Sequence, residues 1–291
     1  MITLRSDRLV VEIAAPGAAY AGARFDWTAF ITQVTLDGRH TFCVPEAVDG
    51  TGTGGAGLCN EFGIFDPVGY EDAVTGEQFP KFGVGLLRRP DLDPYRFSRA
   101  YEITAFPLAV EARDDEVMFV MEPLECRGYA GRLQKRVQVA GNRLTIDYRF
   151  DNVGTRPVRT NEYVHNFIGL DSHPVGPGYE LHLPFVPPAP LPPPLFCRDR
   201  LITWSQVPAN AFFQAFKQMP PEPVFAWQLV HRPSGLQVAE TTDVGWSHLH
   251  LYGTSRLVSP EAFVALDLAP GQTKTWQRSY AFAATASDVS A

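Results

Sequence analysis

From Arg143 to Phe150 the chain alternates strictly. Leu144, Ile146, Tyr148 and Phe150 are apolar, while Thr145, Asp147 and Arg149 between them are polar. A two-residue period puts successive side chains on opposite faces, so this run predicts a strand with one face on a core and one in water. Similar runs cover residues 116–121, 133–139, 157–170, 224–231, 247–252, 257–268 and 274–282. Turn signals separate them: Arg-Asp-Asp at 113–115, Ala-Gly-Asn at 140–142, Asn-Val-Gly at 152–154, Pro-Ser-Gly at 233–235 and Pro-Gly-Gln at 270–272. The chain has 25 prolines, 24 glycines and 20 phenylalanines, and almost no helical period. Short aromatic strands joined by turns predict a large all-β antiparallel sandwich. No repeat of 20–50 residues is evident, which disfavours a propeller or solenoid.

The 291 residues suffice for one large core, and 45% hydrophobic with 20% charged residues is globular composition. Strand-like sequence continues on both sides of the one odd segment, so residues 1–291 are expected to form a single domain. That segment, Leu183 to Leu195, holds seven prolines and should run as polyproline II. A stiff surface connection is preferred there over a ligand for a proline-reading domain. The net charge is −7 with no lysine- or arginine-rich block, so nucleic acid is not an expected partner. Glu12 interrupts the only apolar stretch near the first residue, and no run is long enough for a membrane helix. A cytoplasmic protein with no membrane partner is therefore expected. Cys43, Cys59, Cys126 and Cys197 are far apart and should be reduced thiols.

Four patterns are candidates for chemistry. Gly52 to Gly57 matches GxGxxG, but Leu-Cys-Asn-Glu-Phe-Gly follows, which does not start a helix, so a loop is expected rather than a nucleotide cradle. His248 and His250 share a strand face with Asp243 just upstream, yet no third metal ligand is fixed by spacing; a hydrogen-bonded histidine pair is the plainer reading. Arg88-Arg89 suits a phosphate or a solvated loop. The strongest pattern lies in residues 152–170, read as an Asn-x-Gly turn followed by a strand on which Asn161, Tyr163, His165 and Phe167 share one face. Aromatic faces cover the C–H side of a pyranose while amide and imidazole meet its hydroxyls, so this face suits a sugar, although His165 by itself is equally well a structural histidine.

Gly22-Ala-Arg-Phe-Asp26, Gly57-Leu-Cys-Asn-Glu-Phe-Gly63, Phe79-Pro-Lys-Phe-Gly-Val-Gly85, Asn161-Glu-Tyr-Val-His-Asn-Phe167 and Leu268-Ala-Pro-Gly271 together resemble a divergent branch of the galactose mutarotase-like (aldose 1-epimerase) superfamily. The resemblance implies a β-supersandwich that interconverts the anomers of an aldose. It places His165 as the acid and Glu261 as the base, with Asp243 holding sugar hydroxyls. Asn60-Glu61 stands where the family carries an Asn-Arg pair, and Phe82 stands where it carries a second histidine before a glycine. Asn60, Glu61, Lys81, Phe82, Tyr163 and Asp243 are thus the expected substrate-binding residues. Neither metal nor organic cofactor is implied, the partner is a small carbohydrate, and the protein is expected to be a monomer or homodimer. Two alternatives stand beside this reading: a non-catalytic sugar binder, and a glycoside-processing enzyme with Glu61 and Glu261 as its carboxylate pair.

Overall fold

A computed structural model describes residues 1–48, 51–188, 190–217, 219 and 225–285. Among them are 22 strands and one short 3-10 helix, Leu170–Ser172. The first large sheet runs in the order β1 (Ile2–Arg5), β2 (Leu9–Ile13), β3 (Ile31–Leu36), β5 (Leu58–Phe62), β13 (Val158–Asn166), β21 (Val258–Leu268), β20 (His248–Gly253) and β17 (Phe212–Phe216), with β4 (His40–Thr41) beside β3. The second runs β15 (Leu195–Arg198), β16 (Leu201–Trp204), β14 (Tyr179–His182), β18 (Phe225–His231), β19 (Leu236–Thr242), β22 (Thr273–Ala284), β12 (Arg143–Asn152), β11 (Gly131–Ala140), β10 (Glu116–Met121) and β9 (Leu108–Ala112). A small third sheet holds β6 (Gln78–Lys81), β7 (Gly85–Arg88) and β8 (Ile103–Ala105). The eight strands expected from alternation are all present. The one expected from Val224 is described from Phe225 onward, Val224 lying outside the described residues.

The two large sheets pack face to face over one apolar core. Leu9, Val11, Leu58, Phe62, Val164 and Val264 come from the first sheet, and Val137, Leu144, Ile146, Phe150, Val238 and Phe282 from the second. The two-residue period then decides what each side chain of β13 meets. Glu162, Val164 and Asn166 enter the space between the sheets, where Glu162 and Glu240 both pair with Arg278 and Asn166 donates to Glu240. Tyr163, His165 and Phe167 take the opposite face.

Pro270-Gly271 is not a hairpin. β21 and β22 lie in different sheets and form no ladder, so this turn is a corner between the sheets, as is the Asn152 turn from β12 to β13. Asn152 ties the two corners together: its Nδ2 donates to the carbonyls of Arg156 and Leu268, and its own carbonyl accepts from Gly271.

The proline-rich segment links β14 to β15 without strand structure in its described part, and it buries Leu183, Phe185 and Leu195 beneath it. All four cysteines are free, and burial pushes the Cys43 thiol up to about 12. No helix among the described residues is long and apolar enough to cross a membrane.

Candidate active site

The four strands β5, β13, β21 and β20 lie side by side, and each contributes from the same face. Register sets Glu61 opposite Tyr163 and His250 opposite Glu261. His165 lies at the centre, 3% exposed. Its Nδ1 is 2.9 Å from Glu261 Oε1 and its Nε2 is 3.0 Å from Glu61 Oε2. An imidazole with a carboxylate at each nitrogen satisfies both contacts only when both nitrogens carry protons. Burial, and then the charge of the Arg24 guanidinium 3.3 Å from Nε2, push its pKa down. The charge of Glu261 and the hydrogen bonds to both carboxylates outweigh that, and the imidazole titrates above its ordinary value.

Glu61 is wholly buried and fully engaged. Lys81 Nζ donates to its Oε1 at 3.1 Å, while Tyr163 (2.7 Å), Arg24 Nε (3.0 Å) and His165 donate to Oε2. Burial would raise this carboxyl, but Lys81, the His165 hydrogen bond and Arg24 hold it well below the usual carboxylate range. Glu261 differs in one respect. Its Oε1 accepts from His165 and from Ser259 Oγ at 3.0 Å, while no described residue donates to its Oε2.

Both carboxylates line or underlie a cleft of about 310 Å³. Arg24, which precedes β3 in a coil, reaches its floor; its guanidinium lies 4.3 Å from the Phe97 ring, donates to Thr53 Oγ1 at 2.7 Å and pairs with Glu46 at 3.6 Å. Phe65, Phe167, Phe213 and Tyr252 form apolar walls, and His250 faces the cleft with no hydrogen bond to a described residue. Burial holds the His250 pKa below the ordinary histidine value.

The structure brings His165, Glu261, Glu61, Lys81 and Tyr163 together, and it sets three expected residues elsewhere. Asn60 neighbours Glu61 on β5 and so faces the other way, into the inter-sheet core, where it donates to Tyr148 Oη and Glu162 and accepts from Lys135. Phe82 also turns into that core, with its ring 4.8 Å from Phe150. The turn from Lys81 to Val84 accounts for this. Gly83 has φ +83, and a Cβ there would meet Asp26 Cγ at 2.4 Å, so the turn presses against Asp26 and swings Lys81, not Phe82, to the site. Asp243 is exposed, accepts from the Gln277 backbone N–H at 2.7 Å and borders a separate cleft with Asp147 and Gln134.

Other sequence readings also resolve. Residues 52–57 lead into β5 rather than a helix, so no phosphate cradle forms, and their Thr53 joins the cleft. Arg88 pairs with Glu102, and Arg89 donates to the carbonyls of Tyr70 and Ala73, so neither guanidinium is left for a phosphate. Glu61 is wholly buried and held ionised by its four donors, so it carries no proton to give a glycosidic oxygen. Among the described residues no group of three or more histidine, cysteine, aspartate or glutamate side chains is arranged to hold a metal.

Arg24, Glu46, Thr53, His250, Phe65, Phe213 and Tyr252 were not expected from sequence, whereas Phe167 was read on the His165 face. Arg24 carried one usable signal: it is the lone cation in Gly22-Ala-Arg-Phe-Asp26. His250 had its place in the His-Leu-His pair. Phe213, on an edge strand with no motif, had none.

Two large antiparallel sheets with a polar, aromatic-walled cleft on the free face of one of them define a β-supersandwich. More particularly, the fold is that of the galactose mutarotase-like proteins. The chain superposes on a protein of Escherichia coli K12 provisionally assigned as an aldose 1-epimerase, with a TM-score of 0.64 at 13% identity over 98% of this chain and 99% of that one. A galactose mutarotase related enzyme from Lactobacillus acidophilus gives 0.63 at 12% identity, covering 98% of both chains. The Slr1438 protein from Synechocystis sp. PCC 6803 gives 0.62 at 13%, covering 97% of this chain and 95% of that one. No protein-family model matches the sequence, and no curated protein matches it.

Proposed function

We propose that the cleft binds an aldose and interconverts its anomers by acid–base opening of the ring. The observation that carries this reading is the line Glu61–His165–Glu261, in which the outer carboxylate keeps one oxygen free on the cleft side. Glu261 Oε2 takes the proton of the anomeric hydroxyl. As its charge is neutralised its hold on the His165 Nδ1 proton weakens, and that proton passes to the ring oxygen as the bond from the anomeric carbon to it breaks. The open aldehyde turns about its first carbon–carbon bond. Recyclisation on the other face returns both protons and gives the opposite anomer. The two oxygens served sit on one carbon, so adjacent acid and base suit the task. Glu61 keeps the Nε2 proton throughout and thereby fixes which nitrogen gives and receives. Arg24 and Lys81 balance Glu61, and the phenylalanine walls support C–H faces of the sugar while excluding water.

The test is saturation-transfer NMR of anomer exchange over a panel of free aldoses and their 6-phosphates. Wild type should accelerate exchange of at least one neutral aldose, and Glu261→Gln and His165→Ala should each lower the rate by about 10²–10⁴-fold. Sugar binding without exchange in the wild type would identify a sugar binder and end the catalytic reading.

A further inference from the structure

β21 is a central strand, flanked by β13 and β20, yet Pro260 stands in it next to Glu261. A proline has no N–H to give a ladder and is ordinarily confined to edge strands and bulges. The consequence shows in the pairing with β13. That ladder runs from Val158 opposite Leu268 to Glu162 opposite Val264, and it resumes only at Ile168 opposite Val258. The register is the same at both ends, so within the gap His165 falls opposite Glu261 and Asn166 opposite Pro260.

Side chains close the gap. Asn166 Nδ2 donates to the Pro260 carbonyl at 2.6 Å, and Arg278 Nη2 donates to the Ala262 carbonyl at 2.8 Å. The backbone is thereby gripped on both sides of Glu261. The Asn166 backbone N–H donates to Ser259 Oγ at 3.1 Å, and Ser259 Oγ donates to Glu261 Oε1 at 3.0 Å. Both directions are forced. An N–H can only donate, so the hydroxyl accepts from Asn166, and its single proton is left for the carboxylate. Ser259 and Asn166 are wholly buried, so bulk water does not compete for either bond.

Glu261 Oε1 therefore carries two donors from two strands, Ser259 on β21 and His165 on β13. A carboxylate held by one donor can turn about its last bond and exchange its oxygens. Held by two at one oxygen, it presents the other in a fixed direction, as a reacting group requires. We propose that Ser259 is a positioning residue, whose hydroxyl fixes the Glu261 carboxylate so that Oε2 meets the anomeric hydroxyl. This rests on the epimerase reading and adds to it a side chain that does not line the cleft and touches no sugar.

The experiment measures kcat and KM for anomer exchange in Ser259→Ala, Ser259→Thr and Ser259→Val, on protein shown folded by circular dichroism. Ser259→Ala should lower kcat by about 10–100-fold, the order of loss that a misplacement near 1 Å brings, with KM nearly unchanged. Threonine and valine are alike in bulk and differ in the hydroxyl. Ser259→Thr should therefore exceed Ser259→Val in kcat by about tenfold. Equal losses in those two would assign the effect to bulk and overturn the proposal. An unchanged kcat in Ser259→Ala, or a loss expressed only in KM, would overturn it as well. A crystal structure of Ser259→Ala reads the position without catalysis, and it decides alone should neither bulkier variant fold. In it the Glu261 carboxylate should turn from its wild-type orientation or occupy two; a single unmoved carboxylate would overturn the proposal. If the wild type exchanges no sugar, the epimerase reading falls, and the same structure still decides whether Ser259 holds Glu261.

Discussion

Glu61 and Glu261 bond to the same imidazole and do opposite things. Glu61 is buried, fourfold hydrogen-bonded and held ionised, so it fixes the state of its neighbour. Replacing it by Gln removes a charge and a strong acceptor from Nε2 while keeping the shape. The His165 imidazolium should then titrate at lower pH, and the alkaline limb of the exchange-rate profile should move to lower pH with it. Ring-proton NMR of His165 and the rate profile read this independently; an unmoved titration in Glu61→Gln would sink the assignment of Glu61 as orienting group. Lys81 is tested separately. It is wholly buried against Glu61, and burial pushes its own pKa down. Lys81→Met leaves Glu61 with one cation fewer and should cost about 3–5 kcal/mol in urea unfolding, because breaking a buried pair strands the remaining charge.

At the scale of elements, the sequence was legible wherever one strand face met water. β10, β12 and β22 could be read within two residues because polar and apolar positions alternate along them. The same rule shows why part of the site was misread. Neighbouring positions on a strand cannot share a face, so Asn60 and Glu61 could not both enter the cleft, and the burial of both hid which one did. β5 is buried at every position and β6 at nearly all, so periodicity carried no signal there. Arg24 and Phe213 come from a coil and an edge strand that only tertiary packing brings to the site. The sheet-to-sheet corners were also hidden, since Pro-Gly and Asn-x-Gly signal a turn without saying which sheet the next strand joins. Asn152 locks both corners, donating to two carbonyls from a fully buried position. Asn152→Ala should destabilise the fold by about 1–3 kcal/mol in chemical denaturation. A loss of only a few tenths would show that the corners hold without it.

The whole molecule's stability should vary with pH as its histidines dictate, and these fall into two opposed groups. His231, His248 and His250 are held below the ordinary histidine value, first by burial and then, for His231 and His248, by a neighbouring histidine, with His248 down to about 4. The folded state binds fewer of these protons than the unfolded chain, so their contribution is present above about pH 6.5 and is lost as pH falls below it. His165 is raised instead. Its contribution is full below about pH 6.5 and is lost as pH climbs through its folded value. Glu61, held low, adds a further loss on the acid side once pH drops through the ordinary carboxylate range, about 4.3. Stability should therefore peak near neutrality and fall on both sides. Far to the alkaline side the buried Cys43 thiol and Tyr20 hydroxyl, each raised to about 12 mainly by burial, impose their own loss once the unfolded groups ionise above about 8.5 and 10. The interval between about pH 6.5 and 8.5 thus belongs chiefly to His165. Unfolding free energies measured across it should decline in the wild type and stay nearly level in His165→Gln. An equal decline in both proteins would mean that the imidazole at the centre of the site is not charged in the folded state, and the acid assigned to His165 would go with it.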